Sequence, residues 1–340
     1  MARIITFGEI MLRLSPPGYL RFEQARSFDA LYGGGEANVA LSLAQFGHDA
    51  AFVTRLPANA IGDSCRNELR QYGVDTSLIV RGGSRLGIYY CEKGASVRPS
   101  KVVYDRAGSA IATASREDFD WDHILRDADW FHFTGITPAL GDNVAAIALD
   151  AIRTARDKGI PVSCDLNYRK NLWSPEKAGT VMAGLMPYVD VLIANEEDAD
   201  KVFGIRAAET DISHGNLSTE GYRKVAATLI ERFGFRSVAI TLRESYSASE
   251  NGWSAILCTA RTCHVSRRYV VHIVDRVGGG DSFGAGLIHG TLTGMGDAQA
   301  LEFAVAASAL KQTIEGDFNI ISADEVSRLA AGDASGRVQR

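Results

Sequence analysis

The stretch RVGGGDSFGAG, residues 276–286, places five glycines around a single aspartate, Asp281. Inside a regular helix or strand each glycine costs about 0.5–1 kcal/mol relative to alanine, so this density indicates special backbone geometry or close approach of a ligand. Residues 267–274 before it are β-rich, and the segment after it can form a helix that packs closely on a sheet through Gly284 and Gly286. The pattern predicts a strand, a glycine turn and a helix in succession.

A glycine turn at the start of a helix is a favourable site for an anion. Unpaired backbone N–H groups and the positive end of the helix dipole both favour a phosphate there. We expect Gly278, Gly279 and Gly280 to form this cradle. Asp281 would lie at the helix start, where its carboxylate is stabilised as the anion and can accept a proton. A capping aspartate in a packing turn is the alternative interpretation.

Two other glycine motifs of nucleotide-binding proteins do not fit this stretch. Gly279 and Gly284 have the spacing of a P-loop, but Ala285 and Gly286 stand where that motif requires lysine and then serine or threonine. The dinucleotide pattern G-x-G-x-x-G also fails, because Phe283 is the third residue after Gly280. A nicotinamide dehydrogenase is therefore disfavoured.

Short apolar, β-rich runs alternate with segments of helical periodicity along the chain. Strands are expected at 3–10, 50–56, 130–136, 160–166, 189–195 and 237–242. The helices include 37–47 and 143–159, which end at Gly47 and Gly159, where glycine commonly closes a helix. Continuous apolar strands that alternate with helices are typical of a parallel sheet covered on both faces, so we predict a doubly wound α/β domain.

Two segments break this alternation, at 11–32 and 86–106. Neither has helical periodicity, and the second has the pattern of two strands joined by a turn that contains glycine and proline. We interpret both as a small β-sheet lid inserted into one domain that spans 1–330. Residues 331–340 are small and polar, and we expect a frayed tail there.

Composition and charge exclude several classes of partner. The chain has 340 residues, of which 46% are hydrophobic and 23% charged, with a net charge of −5 and a pI near 5.8. No overall positive field is available for nucleic acid or an anionic membrane. No apolar run approaches the roughly 18 residues of a membrane span.

The five cysteines are scattered, and no pair has the C-x-x-C spacing of a zinc or redox site. Cys258 and Cys263 are the nearest pair, and we expect them to be ordinary strand cysteines. The apolar N-terminal stretch contains Glu9 and lacks a small-residue cleavage site, so it does not have the pattern of a signal peptide. These features predict a reduced, cytoplasmic protein.

The GGGD sequence before a helix, together with YGGGEANVALSLAQFG at 32–47, resembles the two signatures of the ribokinase-like (PfkB) carbohydrate kinases. The resemblance covers nearly the whole chain and implies a three-layer α/β/α domain with a mainly parallel sheet and a β-sheet lid. It also implies transfer of the ATP γ-phosphoryl group to a sugar hydroxyl, with Asp281 as the base and the amides of Gly278, Gly279 and Gly280 stabilising the phosphoryl oxygens.

The second signature departs from its usual form at two positions. Relatives commonly read G-A-G-D preceded by Asp-Thr, whereas this chain has Gly279 for the alanine and Arg276 for the threonine. The resemblance implies that a monovalent cation binds near this turn. Because arginine replaces the usual threonine, whether this chain requires such a cation stays open.

Acidic and amide side chains follow the strand at 189–195. Asn195, Glu196 and Asp198 lie where a strand passes into a helix, at the edge where α/β sheets bind ligands, and hard oxygen ligands there suit Mg²⁺ held partly through water. The family motif is N-x-x-E, with Asp198 in the last position here. The alternative is that these acids only favour the first helical turn. By resemblance, Asn167, Thr241 and Arg243 contact the nucleotide, together with the glycine turn.

The substrate is predicted from a second set of residues. In a strand at 101–106, Val102, Tyr104 and Arg106 share one face, and with Arg169 they would bring two cations to the sugar. Two guanidinium groups suit a carboxylate better than a neutral hexose. The alternative is that both arginines are solvated surface charges.

Three stretches, GIYYCEKG, VVYDRAGSA and DLNYRKNLW, resemble the branch of this family that phosphorylates keto-deoxy sugar acids such as 2-keto-3-deoxygluconate. By that resemblance Gly34 and Asn38 contact substrate hydroxyls. Tyr89, Tyr104 and Arg106 form the lid side, and Arg169 approaches the substrate or a phosphate. A kinase of a neutral sugar or a nucleoside, and a sugar-responsive regulator without turnover, remain the alternatives. An exposed lid sheet also predicts a homodimer through the lid.

Overall fold

The computed structural model describes residues 1–195, 197–207 and 218–333. The strands are β1 Arg3–Phe7, β2 Met11–Ser15, β3 Asp29–Gly33, β4 Asp49–Val53, β5 Arg55–Leu56, β6 Val80–Arg81, β7 Gly87–Glu92, β8 Lys101–Asp105, β9 Trp130–Thr134, β10 Val162–Asp165, β11 Val191–Ala194, β12 Ser237–Ser245, β13 Glu250–Cys258, β14 Cys263–Val265 and β15 Tyr269–His272. The helices are α1 Gly35–Gln45, α2 Ala60–Gln71, α3 Trp121–Ile124, α4 Ile136–Ala139, α5 Asp142–Asp157, α6 Pro175–Leu185, α7 Asp198–Phe203, α8 Thr219–Phe233, α9 Gly279–Leu292, α10 Asp297–Lys311 and α11 Ala323–Ala330. The expectations for Glu196 and for 334–340 lie outside the described residues.

A large sheet forms the centre of the molecule. Within the described residues it runs in the order β14, β13, β12, β11, β10, β9, β1, β4, and β15 pairs with β13. The strands from β4 to β12 in this order are parallel, and β13, β14 and β15 pair antiparallel. Because the chain builds outward from β1 in both directions, the predicted doubly wound, mainly parallel sheet is confirmed.

Helices cover both faces of this sheet, as continuous apolar strands require. Successive side chains of β1 enter different cores, since Ile5 and Phe7 belong to one buried cluster and Ile4 to the other. The first cluster is covered by α3 and α5 to α8, and the second by α1, α2 and α9 to α11. The result is the three-layer α/β/α arrangement expected from the sequence.

A second, four-stranded sheet stands beside the main domain in the order β3, β2, β7, β8. Its strands fall on the two segments that break the alternation of the chain, and we call this sheet the lid. Met11 and Arg13 of β2 and Tyr89 of β7 are buried on its inner face, whereas Leu12 and Tyr90 are partly exposed on its outer face. Alternation therefore gives the lid one face for a site and one apolar face outside it.

The strand predicted before the glycine turn is present as β15, which pairs antiparallel with β13. Two local expectations need correction. A Cβ at Gly286 would lie 2.7 Å from the Cα of Ala304 in α10, so this glycine allows helix–helix contact and not helix–sheet contact. Cys258 and Cys263 face each other across β13 and β14 and form a disulfide.

The helix ends and the membrane expectation can also be compared with the structure. Gly47 and Gly159 follow α1 and α5 with φ of 86° and 69°, the left-handed conformation that glycine adopts after a helix. Among the described helices, none combines the length and the apolar character needed to cross a membrane.

Candidate active site

A cleft of about 360 Å³ lies between the lid and the carboxyl ends of the parallel strands. Ligands of α/β sheets bind at this edge, where the strand order reverses around the first strand. The residues predicted for catalysis, substrate or nucleotide all line it: Gly34, Asn38, Tyr89, Tyr104, Arg106, Asn167, Arg169, Asn195, Thr241, Arg243, Gly278, Gly279, Gly280 and Asp281. Residues that are far apart in the sequence therefore meet in one cavity.

The glycine turn opens α9 towards this cleft. Gly278 caps the helix with φ of 83°, a left-handed conformation that favours glycine. A Cβ there would also lie 2.1 Å from the carbonyl oxygen of Asp317, so any larger residue would clash. A Cβ at Gly280 would meet nothing within 4 Å, because this glycine borders open space. The Gly279 amide donates to the carbonyl of Arg276 at 3.3 Å, so its predicted place in the anion cradle is wrong. Among the described residues, no acceptor takes a hydrogen bond from the amides of Gly280 and Asp281. These amides are available to an anion at the positive end of the helix dipole.

Asp281 lies in the first turn of α9, and its carboxylate is held on one side. Asn38 Nδ2 donates to Asp281 Oδ2 at 2.6 Å, and Asn38 Oδ1 accepts from the Gly34 amide at 3.3 Å. Burial raises the pKa of Asp281 to about 6, while the hydrogen bond from Asn38 lowers it. A Cβ at Gly35 would lie 3.5 Å from Asp281 Oδ1, so glycine keeps the approach to this oxygen clear.

The start of α1 is fixed from beneath by Glu36, a residue that the sequence did not single out. Its Oε1 accepts hydrogen bonds from the Thr134 amide at 2.9 Å and from the Thr134 hydroxyl at 2.8 Å, and Thr137 donates to it as well. Burial raises the pKa of Glu36 to about 7, against these hydrogen bonds. The carboxyl group joins α1 to the end of β9, and this contact positions the Gly34 turn and Asn38.

Asp165, at the carboxyl end of β10, is a second acid in the cleft. Its Oδ1 accepts the amide of Asn167 at 3.1 Å. Burial and the nearby carboxylates of Asp198 and Asp281 raise its pKa well above the usual value, while Arg169 lowers it. The signal in the sequence was an acid that ends a central strand, at the edge where ligands bind.

The lid and the glycine turn are joined by a buried ionic network. Arg13, fully buried, donates to Asp317 at 2.7 Å and to Asp275 at 2.6 Å, and Tyr89 donates its hydroxyl hydrogen to Asp317. Burial raises the pKa of Asp317, whereas the charge of Arg13 lowers it. Tyr89 is therefore in the cleft as predicted, but its hydroxyl already has a partner.

Arg106 is not a solvated charge, because only 9% of the residue is exposed. Its Nε donates to Glu9 Oε2 at 2.8 Å, its Nη2 donates to the same oxygen, and its guanidinium lies 5.4 Å from the centre of the Tyr104 ring. Among the described residues nothing accepts a hydrogen bond from Nη1. Arg169 is exposed and lines both this cleft and an adjoining cavity of about 580 Å³.

The predicted metal residues are divided between the two cavities. Asn195 lines both, and its Oδ1 accepts the amides of Glu197 and Asp198 at 2.8 and 3.1 Å. Asp198 lines only the adjoining cavity and is buried, with its two oxygens accepting the amides of Asn195 and Tyr168. Within the described ranges, no cluster of three acidic, histidine or cysteine side chains is arranged to hold a metal ion.

Positive charge is concentrated near the glycine turn. Arg243 and Arg276 both line the cleft, and burial together with the charge of Arg243 lowers the pKa of Arg276. Arg276 donates to the carbonyl of Ala248 at 3.0 Å, which directs its side chain towards that loop. With the free amides of α9, these guanidinium groups suit an oxyanion such as phosphate.

Known proteins that are similar to this chain are carbohydrate kinases. The profile of the pfkB family carbohydrate kinases matches residues 1–322. The 2-dehydro-3-deoxygalactonokinase of Haloferax volcanii is 35% identical over 335 residues, covering 98% of this chain and 98% of that protein. The 2-dehydro-3-deoxygluconokinase of Bacillus subtilis is 29% identical over 323 residues, covering 93% of this chain and 91% of that one.

A solved structure extends the comparison to the fold. The crystal structure of 2-dehydro-3-deoxygluconokinase from Thermotoga maritima is 54% identical, with a TM-score of 0.94, and covers 98% of this chain and 100% of that one. Since the family profile spans nearly the whole sequence and the glycine signatures meet in the cleft, the chain belongs to the pfkB family of carbohydrate kinases.

Proposed function

We propose that this sugar kinase transfers the γ-phosphoryl group of ATP to a hydroxyl of a keto-deoxy sugar acid. The substrate we favour is 2-keto-3-deoxygluconate, also called 2-dehydro-3-deoxygluconate, and its product would be the 6-phosphate. The observation that carries the proposal is the carboxylate of Asp281 beside the free amides of the α9 N-terminus, in a cleft that several arginines line.

Each group has a role in in-line phosphoryl transfer. Asp281 accepts the hydroxyl proton of the sugar, and Asn38 orients its carboxylate through the 2.6 Å hydrogen bond. The amides of Gly280 and Asp281 face the phosphoryl oxygens, with Arg243 and Arg276 adding positive charge. Phosphoryl transfer depends on positioning and charge stabilisation, and these groups supply both.

Mg²⁺ would be held through water and phosphate oxygens, as this ion commonly is. Asp165 is the oxygen-bearing side chain of the cleft that fits this role, because no described residue donates a hydrogen bond to its Oδ2. Asn195 and Asp198 would act indirectly, because their side-chain oxygens already accept backbone amides. When bound, the ion would neutralise part of the triphosphate charge.

The carboxylate of the substrate would lie near Arg106 and Arg169. Glu9 accepts hydrogen bonds from Nε and Nη2 of Arg106, so the guanidinium is oriented before substrate binds, and Nη1 would be available to the substrate carboxylate. Arg169 is exposed and can adjust. Names of similar kinases support a keto-deoxy sugar acid, because they act on 2-dehydro-3-deoxygluconate or 2-dehydro-3-deoxygalactonate.

A screen of ATP consumption tests the proposal directly. The acceptors are 2-keto-3-deoxygluconate, its galactonate epimer, fructose, ribose and adenosine, each with and without the purified protein. We expect kcat/KM to be highest for one or both keto-deoxy acids. A higher kcat/KM for fructose, ribose or adenosine would mean that the proposed substrate is wrong. If none of the acceptors is phosphorylated, a regulator without turnover would be favoured.

The pH dependence of kcat/KM should report the ionisation of Asp281. A pKa raised to about 6 means that the base is deprotonated above pH 6 and protonated below it, so activity should fall about tenfold per pH unit on the acid side. Asn38→Ala removes the hydrogen bond that lowers this pKa, and the acid limb should therefore move to higher pH. If activity falls at the same pH in both proteins, the ionisation belongs to ATP or to another group and not to Asp281.

We also propose a homodimer through the outer face of the lid. This face carries Leu12, Leu14, Ile88, Tyr90 and Val103, which are partly or largely exposed apolar residues, and β8 is an open sheet edge. Exposed apolar area next to an open strand edge favours association with a second copy.

The mass in solution tests this proposal. Light scattering should give about twice the 36.7 kDa chain mass, and Val103→Asp should give a monomer. Val97→Asp is the matched control, because Val97 is 93% exposed and lies between the lid strands β7 and β8. A monomeric mass for the unmodified protein would exclude the dimer.

A further inference from the structure

Lys311, the last residue of α10, is fully buried directly behind the glycine turn. Its Nζ donates hydrogen bonds to the backbone carbonyls of Asp275 and Ile314, each at 3.3 Å, and to that of Gly316. Fully buried lysines are rare unless their charge has partners. Lys311 has no direct role in the proposed phosphoryl transfer.

The geometry favours the charged form of Lys311. An ammonium group has three N–H donors, and three carbonyl oxygens accept them here, whereas a neutral amine would turn its lone pair towards one of these oxygens. Burial lowers the pKa of Lys311 and the charge of Arg13 adds to this, while the carboxylates of Asp275 and Asp317 offset part of the shift. Carbonyl oxygens with carboxylates nearby form an environment for a small cation.

The three carbonyls belong to the two segments that form the base of the anion pocket. Asp275 precedes the glycine turn, and its Oδ1 accepts the amide of Val277 at 3.1 Å. Gly316 precedes Asp317, whose carbonyl oxygen lies against Gly278. The Cε of Lys311 also approaches Gly278, at 3.2 Å from the position that a Cβ would take. One ammonium group therefore holds both segments in place beneath the free amides.

We propose that Lys311 is a built-in cation that positions the glycine turn, so that this enzyme needs no monovalent metal ion there. Relatives of this chain are expected to bind a monovalent cation near this turn. The residues here do not fit such an ion in addition, because the ammonium group of Lys311 already contacts the three carbonyl oxygens. This inference rests on the proposed function where kcat is measured, whereas the measurements of MgATP affinity do not require that the sugar substrate is correct.

The unmodified protein gives the first test. Affinity for MgATP, measured by calorimetry, and kcat with 2-keto-3-deoxygluconate are compared in K⁺, in Na⁺ and in a buffer whose only monovalent cation is tetramethylammonium. We expect the same values in all three. A strong dependence of either value on K⁺ would overturn the proposal.

Two variants provide the second test. Lys311→Met removes the charge and keeps the volume, and kcat should fall by roughly 10- to 100-fold, the scale of a lost charge-assisted contact. Lys311→Ala leaves space beside the same carbonyls, so K⁺ or ammonium should restore part of its kcat, whereas tetramethylammonium is too large to do so. Lys311→Met should not respond, because the methionine side chain fills this space. Lys224→Met, at an exposed position of α8, is the control.

These outcomes separate a positioning role from a purely structural one. Lost packing alone would lower activity without recovery by a small cation, and such a result would overturn the proposal. A Lys311→Met variant with the kcat of the unmodified protein would overturn it as well. If either variant does not fold, the cation dependence of the unmodified protein still decides. If no sugar is phosphorylated, the proposed function fails, whereas the K⁺ dependence of MgATP affinity still tests the role of Lys311.

Discussion

Asp281→Asn is expected to lower kcat by roughly 10²–10⁴, the usual scale for loss of a general base, while affinity for MgATP stays nearly unchanged. The amide has the size of the carboxylate and keeps an oxygen that can accept the hydrogen bond from Asn38 Nδ2, but it cannot accept the proton of the sugar hydroxyl. The proposed phosphate contacts come from backbone amides, which the substitution leaves in place. Steady-state kinetics and calorimetric binding of MgATP measure the two effects separately.

Asp297→Asn is the matched control for this experiment. Asp297 is also an acid in the first turn of a helix, but it is exposed at the start of the neighbouring α10. Its loss should leave kcat unchanged, because a helix-start carboxylate outside the cleft contributes only to helix stability. If Asp281→Asn retained the kcat of the unmodified protein, Asp281 would have no part in proton transfer.

Local sequence patterns predicted the features that depend on neighbours along the chain. The glycine run and Asp281 identified the start of α9 because backbone geometry and helix electrostatics act within one turn. Alternation of apolar strands and helices predicted the parallel sheet, because a strand buried on both faces must be apolar throughout. The two-residue period of β8 predicted that Val102 and Tyr104 share one face, and both line the cleft.

Patterns did not predict which distant charges would meet. Arg13 and Asp317 are 304 residues apart, and Arg106 and Glu9 are 97 residues apart, yet both pairs are buried. Nothing local marks such a partner, because pairing depends on how the lid docks on the sheet. The same limit applies to Cys258 and Cys263, since their disulfide requires that β13 turn back into β14 in one particular register.

The Arg106–Glu9 pair determines how selectivity for an acid should be tested. Arg106→Ala should raise KM for 2-keto-3-deoxygluconate far more than for a neutral hexose, but it also leaves the buried Glu9 carboxylate without its charged partner, with the Ser109 hydroxyl still donating to it. Breaking a buried ion pair from one side typically costs about 3–5 kcal/mol of stability, which we expect denaturant unfolding to detect. A change in KM in this variant alone would therefore combine two causes.

The double variant E9Q/R106M separates them, because it removes both charges and keeps the approximate volumes. We expect its stability to return towards that of the unmodified protein, while KM for 2-keto-3-deoxygluconate stays raised by roughly 10- to 100-fold, the scale of a lost hydrogen bond to a charged group. Fructose, measured as a substrate or a competitive inhibitor, should bind as before, because it has no carboxylate. Arg169→Met should shift the same preference without a loss of stability, since its side chain is exposed. Equal changes for the acid and for fructose in both variants would mean that neither guanidinium recognises a carboxylate.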